Sequence, residues 1–276
     1  MILGFDIGNT NTLMGIYREE ETVPHHTFLF GTQKDVTSEN LGTLIEGYLD
    51  DYRAETGSTD RVSGFIFSSV APEINARYVD AAMTFFNAGA IEISHKSKLT
   101  VKINYDDPSE LGIDRIVNAE AVYREYGGNA IIIDLGTAAT FCVLLEDGTF
   151  DGGLIAPGIG TTIRALSQRT SRLPEVLFEK PKSLVCRDTV NAVKSGFFYG
   201  WISMIEGIID LLLKEYGRDM KIILTGGSGE TISRNIRHAN IHDDMLTMKG
   251  IKYIYDMNRR RSYKSPSMRG PKPSKK

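Results

Sequence analysis

Cysteine is scarce in this chain of 276 residues, which carries only Cys142 and Cys186. Two thiols cannot build a disulfide framework or a four-thiolate zinc site, and their scarcity fits a reducing compartment. The five histidines, His25, His26, His95, His238 and His242, form no H-E-x-x-H pair and have no partner cysteine at metal spacing, which argues against a zinc hydrolase. Proline is sparse too, at nine residues, and with 41% hydrophobic and 24% charged residues the composition excludes collagen and low complexity. No basic segment precedes the opening Met-Ile-Leu-Gly-Phe-Asp, so a cleaved signal peptide is not expected. The most apolar run, Trp201 to Leu213, is broken by Glu206 and Asp210. It reads as shorter than the roughly 18 apolar residues of a membrane span, so the expectation is a cytoplasmic protein without a membrane segment. No Gly-Lys dipeptide occurs and no G-x-G-x-x-G follows an apolar strand, which disfavours Walker-type and Rossmann phosphate binding.

The net charge of −3 hides an asymmetry. Residues 258–276 carry four Arg and four Lys with no acid, leaving 24 basic against 35 acidic residues elsewhere. This basic tail, with three prolines and no apolar period, reads as disordered, and any contact with nucleic acid is expected only there.

What the chain does have is a repeat. Residues 2–17, I-L-G-F-D-I-G-N-T-N-T-L-M-G-I-Y, overlie residues 130–145, A-I-I-I-D-L-G-T-A-A-T-F-C-V-L-L, so that Asp6, Gly8 and Thr12 match Asp134, Gly136 and Thr140 at an offset of 128. Each copy is an apolar run, an Asp, a Gly-containing polar turn and a second apolar run, the pattern of a strand, tight turn and strand. Glycine lets the turn backbone approach a ligand, and small polar neighbours leave N–H groups free as an anion nest. A carboxylate at the strand end repels phosphate directly but can share a cation with it. One Asp-x-Gly turn alone is commonly just a turn; two, half a chain apart, point to a pair of hairpins gripping a polyphosphate.

Between the copies, Ser38 can cap a helix with Leu41, Leu44, Ile45, Tyr48, Leu49 and Tyr52 on one face. Residues 61–70 read as a buried strand, with a helix after Pro72, and a further helix runs from about Ile116 to Tyr126, ending at Gly127-Gly128. Past the second copy come a glycine-rich loop at 151–160, a long helix capped by Asp188 or Thr189 and running to about Tyr216, and a short strand at Lys221–Thr225. That strand empties into Gly226-Gly227-Ser228-Gly229 before another helix, a natural seat for a nucleoside or phosphate. Asp114 and Arg115 adjoin at the junction of the halves. There a carboxylate can take a hydroxyl proton and a guanidinium can hold a substrate carboxylate.

Taken together, D-I-G-N-T-N (6–11), S-V-A-P (69–72), G-I-D-R (112–115), D-L-G-T-A (134–138), P-G (157–158), D-T-x-x-A-x-x-S-G (188–196), G-G (226–227) and L-T-M-K-G (246–250) resemble the type III pantothenate kinases. The resemblance covers residues 1 to about 258. It implies an α/β chain with the duplicated ribonuclease H-like (actin-like ATPase) fold, two α/β halves (1–115 and 116–257) with mixed sheets around a central nucleotide cleft. The implied reaction is transfer of the ATP γ-phosphoryl group to pantothenate, giving 4′-phosphopantothenate on the way to coenzyme A. By the same resemblance Asp6, Ile7, Gly8, Asn9, Thr10, Asn11, Thr12 and Leu13 form one ATP loop, Gly136 and Thr137 a second, and Gly226 and Gly227 approach the adenosine. Asp114 is implied as the proton acceptor, and Tyr105, Gly112, Ile113, Asp114 and Arg115 as pantothenate contacts. Thr189 would reach the substrate of the partner subunit in a homodimer. Asp6 would face Mg²⁺ and Asp134 a monovalent cation, K⁺ or NH₄⁺. Two positions depart from the pattern: Cys186, where glycine is expected, and Ser228, where an apolar residue is commoner. The competing expectations are a kinase of the same superfamily with another acceptor, and a transcription accessory factor that keeps the fold without the reaction; the presence of Asp6, Asp114 and Asp134 favours a kinase.

Overall fold

The two matched segments form equivalent antiparallel hairpins in the computed structural model, which describes residues 1–259; the basic segment from residue 260 onward lies outside the described residues. The first half contains β1 (Ile2–Ile7), β2 (Asn11–Tyr17) and β3 (His26–Gly31), then α1 (Ser38–Thr56), β4 (Gly64–Ser69), α2 (Asn75–Phe86) and β5 (Ala90–Glu92). Its five strands lie in the order β3-β2-β1-β4-β5, with β4 parallel to β1. The cap of α1 is Thr37, one residue ahead of the expected Ser38: the Thr37 hydroxyl accepts from the Asn40 N–H.

The second half follows as β6 (Lys102–Ile103), α3 (Ile113–Tyr126), β7 (Ala130–Leu135), β8 (Ala138–Leu144), β9 (Thr149–Pro157), α4 (Ile159–Arg169), α5 (Thr189–Tyr216), β10 (Lys221–Thr225), α6 (Gly229–Ser233), β11 (Ile241–His242) and α7 (Leu246–Asn258). The sheet order is β11-β10-β7-β8-β9-β6, and β10 runs parallel to β7 as β4 does to β1. Residues 151–157, expected as loop, belong to strand β9. Its glycines allow the close approach to β8: a Cβ on Gly153 would stand 1.9 Å from the Phe141 carbonyl.

The duplication is therefore real, but its offset is not constant. Asp6 lies opposite Leu13, whereas Asp134 lies opposite Thr140. The second turn is one residue shorter, so the register beyond it corresponds at 127 rather than 128. Because strand side chains alternate, that single residue puts Thr12 and Thr140 on different faces. Thr12 is fully buried and its hydroxyl meets that of Thr32 at 2.9 Å.

Each sheet has an outer and an inner face. Phe5, Phe65, Phe67 and Tyr78 pack the outer face of the first sheet under α1 and α2, with Phe5 and Phe65 stacked at 4.6 Å. Each such buried aromatic contributes about 1.5–3 kcal/mol through burial. On the outer face of the second sheet, Phe198, Trp201, Ile205, Ile209 and Leu212 form the packed stripe of α5 at spacings of three and four. This 28-residue helix is, contrary to the sequence expectation, long and apolar enough to cross a membrane by length and composition. Glu206 and Asp210 bind Arg237 beside the helix. The inner faces meet α3 and α7, which lie together between the sheets: Val117 joins Ile2, Ile66, Met248 and Ile251, while Ile116 and Ala119 join Ile132 and Leu144.

Candidate active site

Both hairpin turns open toward the same space between the halves. In the first, the Gly8 N–H donates to the Asn11 carbonyl at 3.0 Å. Thr32 at the end of β3 clamps the turn, its hydroxyl donating to the Gly8 carbonyl at 2.8 Å and its N–H to the Thr10 carbonyl at 2.9 Å. A Cβ on Gly8 would stand 2.8 Å from the Asn11 oxygen, so no other residue fits there. Asn9, Thr10 and Asn11 are thereby held exposed at the cleft. In the second turn the Gly136 N–H donates to the Ala138 carbonyl at 3.1 Å. The start of α4 secures it, because the Gly158 N–H and the Thr161 hydroxyl both donate to the Thr137 carbonyl, at 2.9 and 2.8 Å. The Thr10 and Thr137 hydroxyls are 3.3 Å apart, so the two turns touch. A third loop enters at the end of β10, where Gly226 adopts φ +85° and a Cβ would stand 2.5 Å from Asp134 Oδ1. Exposed Gly227 follows it.

Three carboxylates converge beneath these loops. Asp6 is the penultimate residue of β1, Asp134 that of β7, and Asp114 lies in the first turn of α3, which begins at Ile113 rather than near Ile116. Burial, and then the charges of Asp114 and Asp134, push the Asp6 carboxyl up to about 8. Burial and the Asp114 charge push Asp134 up to about 6, against a hydrogen bond from Asn118 Nδ2 at 2.9 Å that favours its ionised form. Burial also raises Asp114, opposed by its neighbour Arg115. Desolvated carboxylates that repel one another are relieved by a proton or by a cation. These three carboxylates influence one another through their charges but, among the described residues, do not stand close enough together to form a ready-made metal cluster. Asp6 and Asp134 therefore fit ions that draw further ligands from phosphate and water, as Mg²⁺ does.

Arg115 is buried, unlike an ordinary surface arginine. Its guanidinium lies 5.3 Å from the Phe150 ring and 5.8 Å from that of Tyr105, which places Tyr105 beside the Gly112–Arg115 segment. Ile7 and Thr12 point into the core and Leu13 is half-buried, so beyond the Asp6 carboxylate only Gly8 to Asn11 of the first loop present polar groups to the cleft. Thr189 stands apart, exposed in the first turn of α5 behind its cap Asp188, whose carboxylate accepts from the Asn191 N–H.

Besides Thr32, three contributors escaped the sequence reading. Asn118 bridges Asp134 and Thr247, whose hydroxyl donates to Asn118 Oδ1 at 2.7 Å. Its spacing of four from Asp114, one helical turn, was the available signal. Thr161 carried none, since its role depends on where α4 docks. Neither did Cys142, whose sulfur accepts from Arg115 Nε at 3.2 Å.

The chain is similar to known proteins over most of its length. A family model described as type III pantothenate kinase matches residues 2–211. A type III pantothenate kinase from Koribacter versatilis is 35% identical over 266 residues, 94% of this chain and 96% of that one. Another from Persephonella marina is 38% identical over 258 residues, 92% and 98% of the two chains. Among solved structures, a ROK family glucokinase from Streptomyces griseus shares the fold at a TM-score of 0.51 with 16% identity, covering 93% of this chain and 98% of that one.

Proposed function

The chain belongs to the type III pantothenate kinase family, and from that membership we infer that it transfers the γ-phosphoryl group of ATP to the terminal hydroxyl of pantothenate, the first step toward coenzyme A. ATP is the donor in this reading, and its phosphates meet the turns at Gly8–Asn11 and Gly136–Thr137. Gly226 and Gly227 admit the adenosine. Asp114 accepts the hydroxyl proton; its burial keeps it more basic than a free carboxylate. Tyr105, Gly112, Ile113 and Arg115 hold pantothenate, with the guanidinium toward its carboxylate. Phosphoryl transfer passes through a loose transition state, so positioning and charge neutralisation by the loops carry most of the acceleration. When bound, Mg²⁺ near Asp6 and K⁺ or NH₄⁺ near Asp134 supply that neutralisation. The observation that carries these assignments is the convergence of Asp6, Asp114 and Asp134, far apart in sequence, on one cleft where each carboxyl is raised.

The working unit in this reading is a homodimer, each subunit divided into halves at residues 1–115 and 116–257. Support comes from an apolar surface of α5 and β9: Leu154 and Leu211 are 41% and 66% exposed and, with Val143, Ile208 and Tyr216, line a cavity of about 600 Å³. In the same reading the second copy supplies its exposed Thr189 to the neighbouring cleft. A cytoplasmic location belongs to the same reading and agrees with both cysteines being free.

The deciding assay is ATP-dependent phosphorylation of pantothenate in potassium against sodium buffer, beside Asp114→Asn. Turnover that rises with potassium and collapses in the variant supports the whole assignment. ATP binding without transfer to pantothenate would redirect the search to another acceptor acid or sugar.

A further inference from the structure

Arg115 is 4% exposed and forms no salt bridge among the described residues, an uncommon state for a guanidinium. Its donors are not used equally. Nε donates to the Cys142 sulfur at 3.2 Å, whereas Nη2 is buried without any hydrogen-bond partner. Phe150 and Tyr105 flank the group, and the Tyr105 side chain makes a weaker polar contact with it, leaving Nη2 itself unpaired. A buried donor left unpaired on a full positive charge is costly unless a ligand meets it. The fold has thus tied one end of the fork and left the other for an anion.

Cys142 reaches Arg115 because it lies on β8 two residues beyond Thr140, on the strand face that Thr140 shares with it opposite Asp134. Its side chain is 2% exposed, and burial raises the thiol above its usual value, so it meets Arg115 as a neutral acceptor. Sulfur is a weak, uncharged acceptor. It can fix the direction of Nε–H without neutralising the guanidinium, which a carboxylate in the same place would do.

We propose that Cys142 is a positioning residue for substrate recognition: its sulfur orients Arg115 so that Nη2, left unpaired in the apolar slot between Phe150 and Tyr105, takes the carboxylate of the acceptor substrate. This rests on the assignment of Arg115 to the pantothenate carboxylate. It adds how the arginine is aimed, and it makes Cys142 a determinant of selectivity for an acidic acceptor over its neutral amide.

The test uses Cys142→Ala and Cys142→Ser, which match in volume and differ in the acceptor oxygen, with Arg115→Leu as reference. KM and kcat are measured for pantothenate, for its N-alkyl amide and for ATP. Expected is a roughly tenfold rise in the pantothenate KM of Cys142→Ala, with recovery to within about threefold of wild type in Cys142→Ser. KM for ATP and for the amide should stay unchanged in both. Thermal melting accompanies each variant; should Cys142→Ala not fold, Cys142→Val removes the acceptor while filling the space. An equal rise in KM for pantothenate and the amide would reduce Cys142 to packing and overturn the proposal. So would a pantothenate KM that stays at the wild-type value without Cys142 while Arg115→Leu raises it. A pantothenate KM unmoved by Arg115→Leu would instead defeat the underlying assignment of Arg115.

Discussion

Thr10 Oγ1 and Thr137 Oγ1 lie 3.3 Å apart, closing the space between two hairpin turns that are 127 residues apart in the chain. The contact means that one anion placed between the turns meets hydroxyls from both halves. Thr137→Ala removes one of them while Gly158 and Thr161 still hold the loop backbone. Losing one hydrogen bond to a charged phosphate costs about 1.5–3 kcal/mol, so KM for ATP should rise roughly tenfold or more. Steady-state kinetics with varied ATP would check this, and the pantothenate KM should not move with it.

In the proposed reading Asp114 acts on the acceptor rather than on the nucleotide. Asp114→Asn should lower kcat by about 10² to 10⁴, the usual size of general-base help. Calorimetric titration with ATP should show nearly wild-type affinity. A variant that binds no ATP would place Asp114 in nucleotide binding instead.

Asp6 and Asp134 predict an unusual pH response. Their folded values, about 8 and about 6, lie above that of a free aspartate near 3.8. Between pH 4 and 8 the folded protein therefore holds protons that the unfolded chain has released, so without metal these two groups lower stability as pH rises, levelling off above about pH 8. A cation relieves the same charges, so the rise in Tm on adding Mg²⁺ and ADP should grow from pH 6 to 8. Melting curves across that range, compared with Asp6→Asn, isolate the effect: the variant should lose most of the slope. A wild-type slope in the variant would remove Asp6 as its source.

Gly226 combines a left-handed backbone with a packed neighbour. Gly226→Ala meets both φ +85° and a contact of 2.5 Å with Asp134 Oδ1. Strain of that kind costs about 1–3 kcal/mol. A lower Tm and weaker nucleotide binding are expected together, read by thermal melting and by titration with ADP.

The proposed dimer predicts complementation. If Thr189 completes the cleft of a second copy, Thr189→Ala and Asp114→Asn proteins should each be nearly inactive, yet regain activity when mixed and allowed to exchange subunits. Heterodimers then carry one intact site. Leu211→Asp, in the apolar face of α5, should halve the mass seen by light scattering and abolish that rescue.

Much of this was legible before any coordinates. The alternating apolar runs around Asp6 and Asp134 specify hairpins locally, and helix ends follow from nearby residues such as Asp188, Gly127 and Gly217. The glycine-rich 151–157 segment was misread as loop because its glycines serve a neighbouring strand, which periodicity cannot register. The bounds of α5 follow from the sequence, but its apolar length does not. Glu206 and Asp210 interrupt its apolar composition in sequence but leave its packed stripe intact.

By itself the sequence determined the local elements, the duplication and the identity of the chemical groups, because strand alternation, turn glycines and helix caps are decided within a few residues. Only the tertiary structure decided which groups meet. The one-residue difference between the turns, Asn118 on Asp134, Arg115 on Cys142 and Thr10 beside Thr137 all depend on how two sheets stack across α3 and α7. That stacking follows from apolar burial, a non-directional force spread over the whole chain. No short segment can encode it.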